Sequence, residues 1–128
     1  MANICLIHTV VGLVPVFDGL LKKHLPGEKW SHVVDESLLK NTILEGKLTP
    51  QTRRRLLGHL WSAADGGADV LMVTCSSIGY GAEEARPFVS QPVLRIDEGM
   101  ADEAVSSGSR IGVLATLSTT LDPTSALI

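Results

Sequence analysis

Residues 70–75 read Val-Leu-Met-Val-Thr-Cys, a nearly continuous apolar run that ends in a threonine and a cysteine. A strand covered on both faces, as in a parallel sheet, has this kind of sequence because neither face meets water. Similar β-rich runs at Asn3–Thr9, Val93–Asp97 and Arg110–Thr116 predict further strands. The shorter and more polar run Ser31–Asp35 predicts an edge strand.

Helical patterns lie between these runs. The clearest is Thr49–Asp65, where Thr49 can cap the helix, Pro50 suits its first position and glycines follow its end. Strands that alternate with helices through short connections predict an α/β fold. We therefore expect an open parallel sheet of about four to five strands flanked by helices, of the flavodoxin-like or Rossmann-like kind. Shorter helices are predicted around Val16–Leu21 and at Ser37–Glu45, Ala82–Arg86 and Gly99–Ser107.

The composition limits the class of protein. A chain of 128 residues with 45% apolar and 20% charged residues fits one globular domain with a core of its own. Eleven basic and fourteen acidic residues give a net charge of −3, which argues against nucleic-acid binding through a cationic face. No apolar run approaches the roughly 18–20 residues of a membrane-spanning helix, and no basic segment precedes the apolar N-terminus. Two cysteines make no disulfide scaffold, so we expect a cytoplasmic protein.

In an open α/β sheet, ligands bind beyond the carboxyl ends of the strands. No glycine-rich dinucleotide or P-loop motif occurs there, and the sequence therefore predicts no nucleotide cofactor. The four histidines show no paired spacing typical of metal ligands, so no metal is expected either.

The most informative strand end is the segment Thr74–Gly79. It places the thiol of Cys75 where a buried strand turns into a loop before a helix, a position that favours anions and thiolates. Ser76 and Ser77 add hydroxyls that can hold a carboxylate. The alternative is that Cys75 is a small buried hydrophobic residue, as most free cysteines are. Cys5 lies inside the first strand and is expected to pack in the core.

A second polar segment, Ala115–Thr120, follows the last predicted strand. Four hydroxyls in a loop at such a position can bind a carboxylate or phosphate oxygen. Loops rich in serine and threonine also cap helices and form turns, so this segment alone does not establish a site.

Together these segments resemble the aspartate/glutamate racemase superfamily, which includes the hydantoin racemases. The matching blocks are Thr-Cys-Ser-Ser at 74–77, Pro-Val-Leu-Arg-Ile-Asp at 92–97 with Met-Ala at 100–101, and Arg-Ile-Gly-Val-Leu-Ala-Thr-Leu-Ser-Thr-Thr at 110–120 with Pro-Thr at 123–124. The resemblance implies cofactor-independent racemisation at a carbon beside a carboxylate or carbonyl. In such a reaction one cysteine thiolate removes the α-proton and a thiol on the opposite face returns another.

The resemblance also implies roles for individual residues. Cys75 matches the family's first catalytic cysteine, and Ser76 and Ser77 match the polar pair that binds the substrate carboxylate. Thr116 and Thr119 match a Gly-Thr-x-x-Thr loop, in which Ala115 replaces the glycine. His8 and Thr9 fall where the family places substrate contacts after the first strand. Glutamate racemases have Asp-Ser there, and His8 can instead be a histidine whose hydrogen bonds are satisfied within the protein.

Members of the family have two similar lobes with the active site between them. In that layout residues 1–109 form the first lobe and 110–128 the start of a second, so the chain is expected to be truncated and to lack the second cysteine. We expect a small carboxylate substrate, no nucleic-acid or membrane partner, and a homo-oligomer. The alternatives are a single-lobe module that binds a small carboxylate or phosphate without catalysis, and an interaction domain.

Overall fold

A computed structural model describes residues 1–128 and contains one sheet of four parallel strands. The strand order is β2-β1-β3-β4, so β1 and β3 lie in the interior and β2 and β4 at the edges. This arrangement confirms both the parallel sheet and the edge position of the more polar strand. The strands are β1 (Asn3–His8), β2 (Lys29–Val34), β3 (Val70–Val73) and β4 (Val93–Arg95).

Six α-helices flank the sheet, and two short 3₁₀ turns, Ser76–Ile78 and Arg86–Phe88, precede and follow α4. The predicted capping of the longest helix is confirmed, because the Thr49 hydroxyl accepts a hydrogen bond from the Thr52 amide at 3.3 Å. The helices are α1 (Leu13–His24), α2 (Glu36–Glu45), α3 (Pro50–Asp65), α4 (Gly79–Ala85), α5 (Glu98–Ser107) and α6 (Ser118–Leu127).

The main core lies between one face of the sheet and helices α2, α3 and α4. Leu71 of β3 is completely buried there, together with Leu38, Leu56 and Leu60 from the helices. Cys5 is also buried in this core, as expected for a residue inside the first strand. Helix α1 packs on the opposite face, where it contributes no fully buried residue.

The C-terminal segment differs from the prediction. Residues 110–116 form no strand: the sheet ends at β4, and no backbone hydrogen bond joins this segment to the free edge of β4. Ile111, Val113 and Leu114 line an apolar pocket with residues of α5 and α6 instead. The prediction of a hydroxyl-rich loop after this strand is also wrong for Ser118–Thr120, which form the first turn of α6.

Among the helices of this fold, none combines the length and apolar character that crossing a membrane requires.

Candidate functional site

The carboxyl ends of the four strands meet at one edge of the sheet because all strands are parallel. The register pairs Ile7 with Val73 and Val73 with Arg95, so β1, β3 and β4 end at the same level. His8, Thr74 and Asp97 therefore lie at or just beyond this edge. We call it the carboxyl edge, and it is where the fold positions a ligand.

Cys75 lies two residues beyond the end of β3, where the chain leaves the carboxyl edge. It is a free, half-buried cysteine that packs against the main core, and its carbonyl oxygen accepts a hydrogen bond from the Ile78 amide at 3.3 Å. That bond closes the 3₁₀ turn Ser76–Ile78 and fixes the direction in which the chain leaves the strand. Cys75 thus differs from the fully enclosed Cys5 in remaining partly open to solvent.

Ser77 connects this turn to the C-terminal helix. Its buried hydroxyl lies 3.0 Å from the hydroxyl of Thr119 and 2.9 Å from that of Thr120. Two predicted site residues, Ser77 and Thr119, are therefore brought together, and Thr120 joins them. Ser76 is half-buried beside Cys75, whereas Thr116 is exposed.

A cavity of about 180 Å³ adjoins these hydroxyls. Ser77 and Thr119 contribute to its wall, and Lys47 and Arg53 bring two positive charges from outside the predicted set. Arg53 also forms an ion pair with Glu84 at 2.7 Å. Asp122 adds a negative charge to the same wall, so the cavity carries charges of both signs. Five other predicted site residues do not line it: Cys75, Ser76, His8, Thr9 and Thr116.

His8 lies at the end of β1 and is completely buried. Its Nδ1 is 2.8 Å from the Thr74 hydroxyl, and its Nε2 is 2.8 Å from Nδ1 of His32. Burial of the ring, and next the proximity of His32, lower the pKa of His8 below its usual value. Both ring nitrogens thus have hydrogen-bond partners within the protein, which fits the alternative interpretation of His8 as a histidine satisfied by protein atoms. Thr9 is likewise buried.

The interactions of His8 continue to helix α1. His32 Nε2 lies 3.0 Å from the Asp18 carboxylate, which also accepts a hydrogen bond from the Trp30 indole at 2.7 Å. The hydrogen bonds from Trp30 and His32 lower the pKa of the Asp18 carboxyl. Sequence analysis missed this chain of side chains. The sequence feature that could have indicated it is the alternation of side chains along β2, which places Trp30 and His32 on the same face of the sheet.

Asp35 follows β2 at the carboxyl edge, but its contacts are structural. Its carboxylate caps α2 by accepting from the Ser37 amide at 3.0 Å, and it binds Arg55 at 2.9 Å and His59 at 2.7 Å. Burial acts to raise the pKa of Asp35, but the hydrogen bonds of Ser37 and His59 and the charge of Arg55 outweigh it and lower the pKa. All these partners belong to α2 and α3.

No group of three or more His, Cys, Asp or Glu side chains is arranged to hold a metal ion.

These features define an α/β protein with a candidate site at the carboxyl edge, where a half-buried cysteine and a cluster of hydroxyls lie. The chain belongs to the Asp/Glu/hydantoin racemase family, whose sequence profile matches residues 12–128. Its fold is similar to that of glutamate racemase from Aquifex pyrophilus, with a TM-score of 0.74 at 19% sequence identity. The match covers 98% of this chain and 51% of that enzyme, so the chain spans about half its length. Comparison with curated protein sequences finds no significant match.

Proposed function

We propose that this chain contributes one acid/base group to a cofactor-independent racemase-type reaction on an amino acid or a related small carboxylate. The observation that carries the proposal is the position of Cys75, half-buried at the carboxyl edge in a chain of the racemase family. A thiolate there removes the proton from the carbon beside the substrate carboxylate, and the resulting thiol returns a proton.

The hydroxyl cluster supports the carboxylate-binding half of this proposal. Ser77 and Thr119 are 3.0 Å apart beside the cavity, and hydroxyl groups can turn their hydrogens toward a carboxylate oxygen. We propose Ser76, Thr9 and Thr116 as further substrate contacts. We assign His8 an indirect role because neither of its ring nitrogens is free.

One thiol can exchange an α-proton with solvent, but it cannot by itself deliver a proton to the opposite face of the carbon. Cys5 does not fill that role, since it is buried inside the core. We therefore expect this chain alone to exchange the α-proton with solvent deuterium while causing little racemisation. A second acid/base group, on another chain or segment, completes the proposed reaction.

The test is deuterium incorporation at the α-carbon of aspartate, glutamate and hydantoin substrates in D₂O, with chiral analysis of the same samples. We expect Cys75→Ser to abolish the exchange and the matched control Cys5→Ala to retain it. Unchanged exchange in Cys75→Ser would remove Cys75 from the mechanism. Rapid racemisation by a preparation of proven 128-residue length would overturn the assignment of a single acid/base group.

The cavity supports a second candidate, a module that binds a small carboxylate or phosphate without chemistry. Lys47 and Arg53 supply two positive charges there against the one negative charge of Asp122, and Cys75 is not part of the wall. Calorimetry with dicarboxylates and inorganic phosphate separates the two candidates. Binding that Lys47→Ala weakens and Cys75→Ser leaves unchanged, in a protein without α-proton exchange, would favour the binding module.

A further inference from the structure

Four side chains form a continuous hydrogen-bonded chain from the carboxyl edge to helix α1. It runs from the Thr74 hydroxyl to His8 Nδ1, from His8 Nε2 to His32 Nδ1, and from His32 Nε2 to the Asp18 carboxylate. The three distances are 2.8, 2.8 and 3.0 Å. The two imidazole rings stack with their centroids 5.0 Å apart. We call these four residues the relay.

The number of available hydrogens fixes the direction of each bond in the relay. The ionised Asp18 carboxylate only accepts, so His32 Nε2 carries a hydrogen. In a neutral His32 the Nδ1 atom is then an acceptor, and it takes a hydrogen from His8 Nε2. His8 Nδ1 is left as an acceptor for the Thr74 hydroxyl. With both histidines neutral, every hydrogen bond therefore points toward Asp18.

The Thr74 hydroxyl has a second acceptor within reach. It lies 3.1 Å from the carbonyl oxygen of Ile7, and a hydroxyl with one hydrogen donates to only one of its two neighbours at a time. We propose that His8 and His32 take up one proton as a unit, and that this proton reverses the bonds between His32 and Thr74 and turns the hydroxyl toward Ile7.

In the protonated relay His32 carries hydrogens on both nitrogens and donates to Asp18 and to His8 Nε2. The hydrogen of His8 is then on Nδ1, which donates to the Thr74 oxygen, and Thr74 donates to Ile7. The pair has two ring N–H groups before the change and three after it. The added proton comes from solvent, and no carbon, oxygen or sulfur atom gains or loses a bond.

The charge of the protonated relay resides on His32. That ring contacts the Asp18 carboxylate, whereas His8 is completely buried and its pKa is lowered. Helix α1 also brings Lys22 near Asp18, and β3 presents the uncharged Thr74 to His8. His8 therefore changes its tautomer while it stays neutral.

The relay ends at Thr74, whose backbone continues directly into Cys75, the residue that carries the proposed acid/base thiol. This makes His8, His32 and Asp18 positioning residues, a consequence that rests on the proposed function. The proton uptake itself does not depend on that function, because it concerns only groups inside the folded chain.

The experiment is an NMR titration of the imidazole nitrogens in the ¹⁵N-labelled chain from pH 8 to pH 4.5. We expect His8 to change from the Nε2–H to the Nδ1–H tautomer at the pH where His32 becomes doubly protonated. Asp18→Asn keeps an oxygen acceptor but loses the charge, and we expect it to lower this midpoint by about one pH unit, a tenfold loss of proton affinity. The matched control Asp65→Asn, at the exposed end of α3, leaves the midpoint unchanged.

Thr74→Val is a second variant of nearly equal volume that removes the acceptor of the Nδ1–H tautomer. We expect it to lower the midpoint too, and Thr74→Ser to restore it. The proposal is overturned if His8 keeps one tautomer throughout, becomes doubly protonated itself, or changes at a pH different from that of His32. An unchanged midpoint in both Asp18→Asn and Thr74→Val also overturns it.

The alkylation rate of Cys75, measured across the same pH range, tests the link to the thiol. We expect an inflection at the relay midpoint that moves with Asp18→Asn. A tautomer change with this inflection, together with unchanged α-proton exchange in Cys75→Ser, would uphold the relay and reject the proposed function. If α-proton exchange depends on Cys75 but His8 keeps one tautomer, the proposed function is upheld and the relay is rejected.

Discussion

Gly79, the first residue of α4, is a position where one added methyl group has a calculable effect. Its backbone is helical, with φ −57° and ψ −39°, so alanine meets no conformational barrier there. A Cβ atom would, however, lie 2.5 Å from the Cζ and Nη2 atoms of Arg95. Carbon and nitrogen atoms do not approach so closely, and Gly79→Ala therefore forces the guanidinium group to move.

The guanidinium is costly to move because its hydrogen bonds are buried. The Arg95 side chain is 1% exposed and binds Asp97 through Nε at 3.0 Å and Nη2 at 2.9 Å. It also binds Glu83 at 2.7 Å and the carbonyl oxygen of Pro123 at 3.2 Å. Each charged hydrogen bond contributes about 1.5–3 kcal/mol, and the helix preference of alanine over glycine returns about 1 kcal/mol. If the two bonds to Asp97 are lost, Gly79→Ala lowers the free energy of unfolding by about 2–5 kcal/mol.

Urea unfolding followed by circular dichroism measures this change, and Gly58→Ala is the matched control. Gly58 lies inside α3, and a Cβ atom added there would have no other atom within 4 Å. The same substitution there is expected to raise the free energy of unfolding by about 0.5–1 kcal/mol. The two variants thus change stability in opposite directions.

A loss below about 1 kcal/mol in Gly79→Ala would show instead that Arg95 relocates without losing its buried partners. The Arg95→Met background provides a second check. The penalty of Gly79→Ala should shrink when the guanidinium is absent. An undiminished penalty would mean that the contact with Arg95 is not its cause.

Three further measurements follow from the same contacts. Arg95→Met leaves the buried Asp97 without its cation and should cost about 3–5 kcal/mol in urea unfolding; a loss under about 1 kcal/mol would contradict a stabilising role for this ion pair. Asp35→Ala removes the cap of α2, the ion pair with Arg55 and the hydrogen bond with His59, and it should cost about 1–2 kcal/mol. Glu36→Ala, at an exposed neighbour, should stay within about 0.5 kcal/mol, and equal losses would argue against the capping role. Because the pKa of His8 is lowered in the folded protein, the unfolded chain binds more protons, and the free energy of unfolding should fall as the pH drops below about 6.5. The lowered pKa of Asp35 should cause a further loss of unfolding free energy below about pH 4. Unfolding at pH 7.5, 5.5 and 3.5 measures both steps, and a protein more stable at pH 5.5 than at 7.5 would contradict the assignment for His8.

The parts of the fold that depend on local sequence could be predicted. The apolar run at 70–75 predicts a strand of a parallel sheet covered on both faces, and β3 is a parallel strand between β1 and β4. Thr49 and Pro50 predict the start of α3 through interactions within one helical turn. At the site, the same local reasoning placed Cys75 at the end of a strand, where the structure has it.

Features that depend on distant partners were not predictable in this way. The sequence at 110–116 has the residues of a strand, but the segment does not join the free edge of β4 and lies against α5 and α6 instead. Helix α6 was missed because serine and threonine also form loops and Pro123 interrupts the helical pattern. Pro123 is accommodated there with its carbonyl oxygen accepting from Arg95, a residue 28 positions away in the chain.

Short-range periodicity and capping suffice to predict the α/β class, the order of the first four strands along the chain and the cysteine at the carboxyl edge. The pairs of polar groups that meet, in contrast, depend on tertiary packing. His8 and His32 are 24 residues apart, and Ser77 and Thr119 are 42 apart. These contacts arise from the parallel register of the strands and from helix packing, which bring together side chains that are far apart in the sequence and that no local pattern connects.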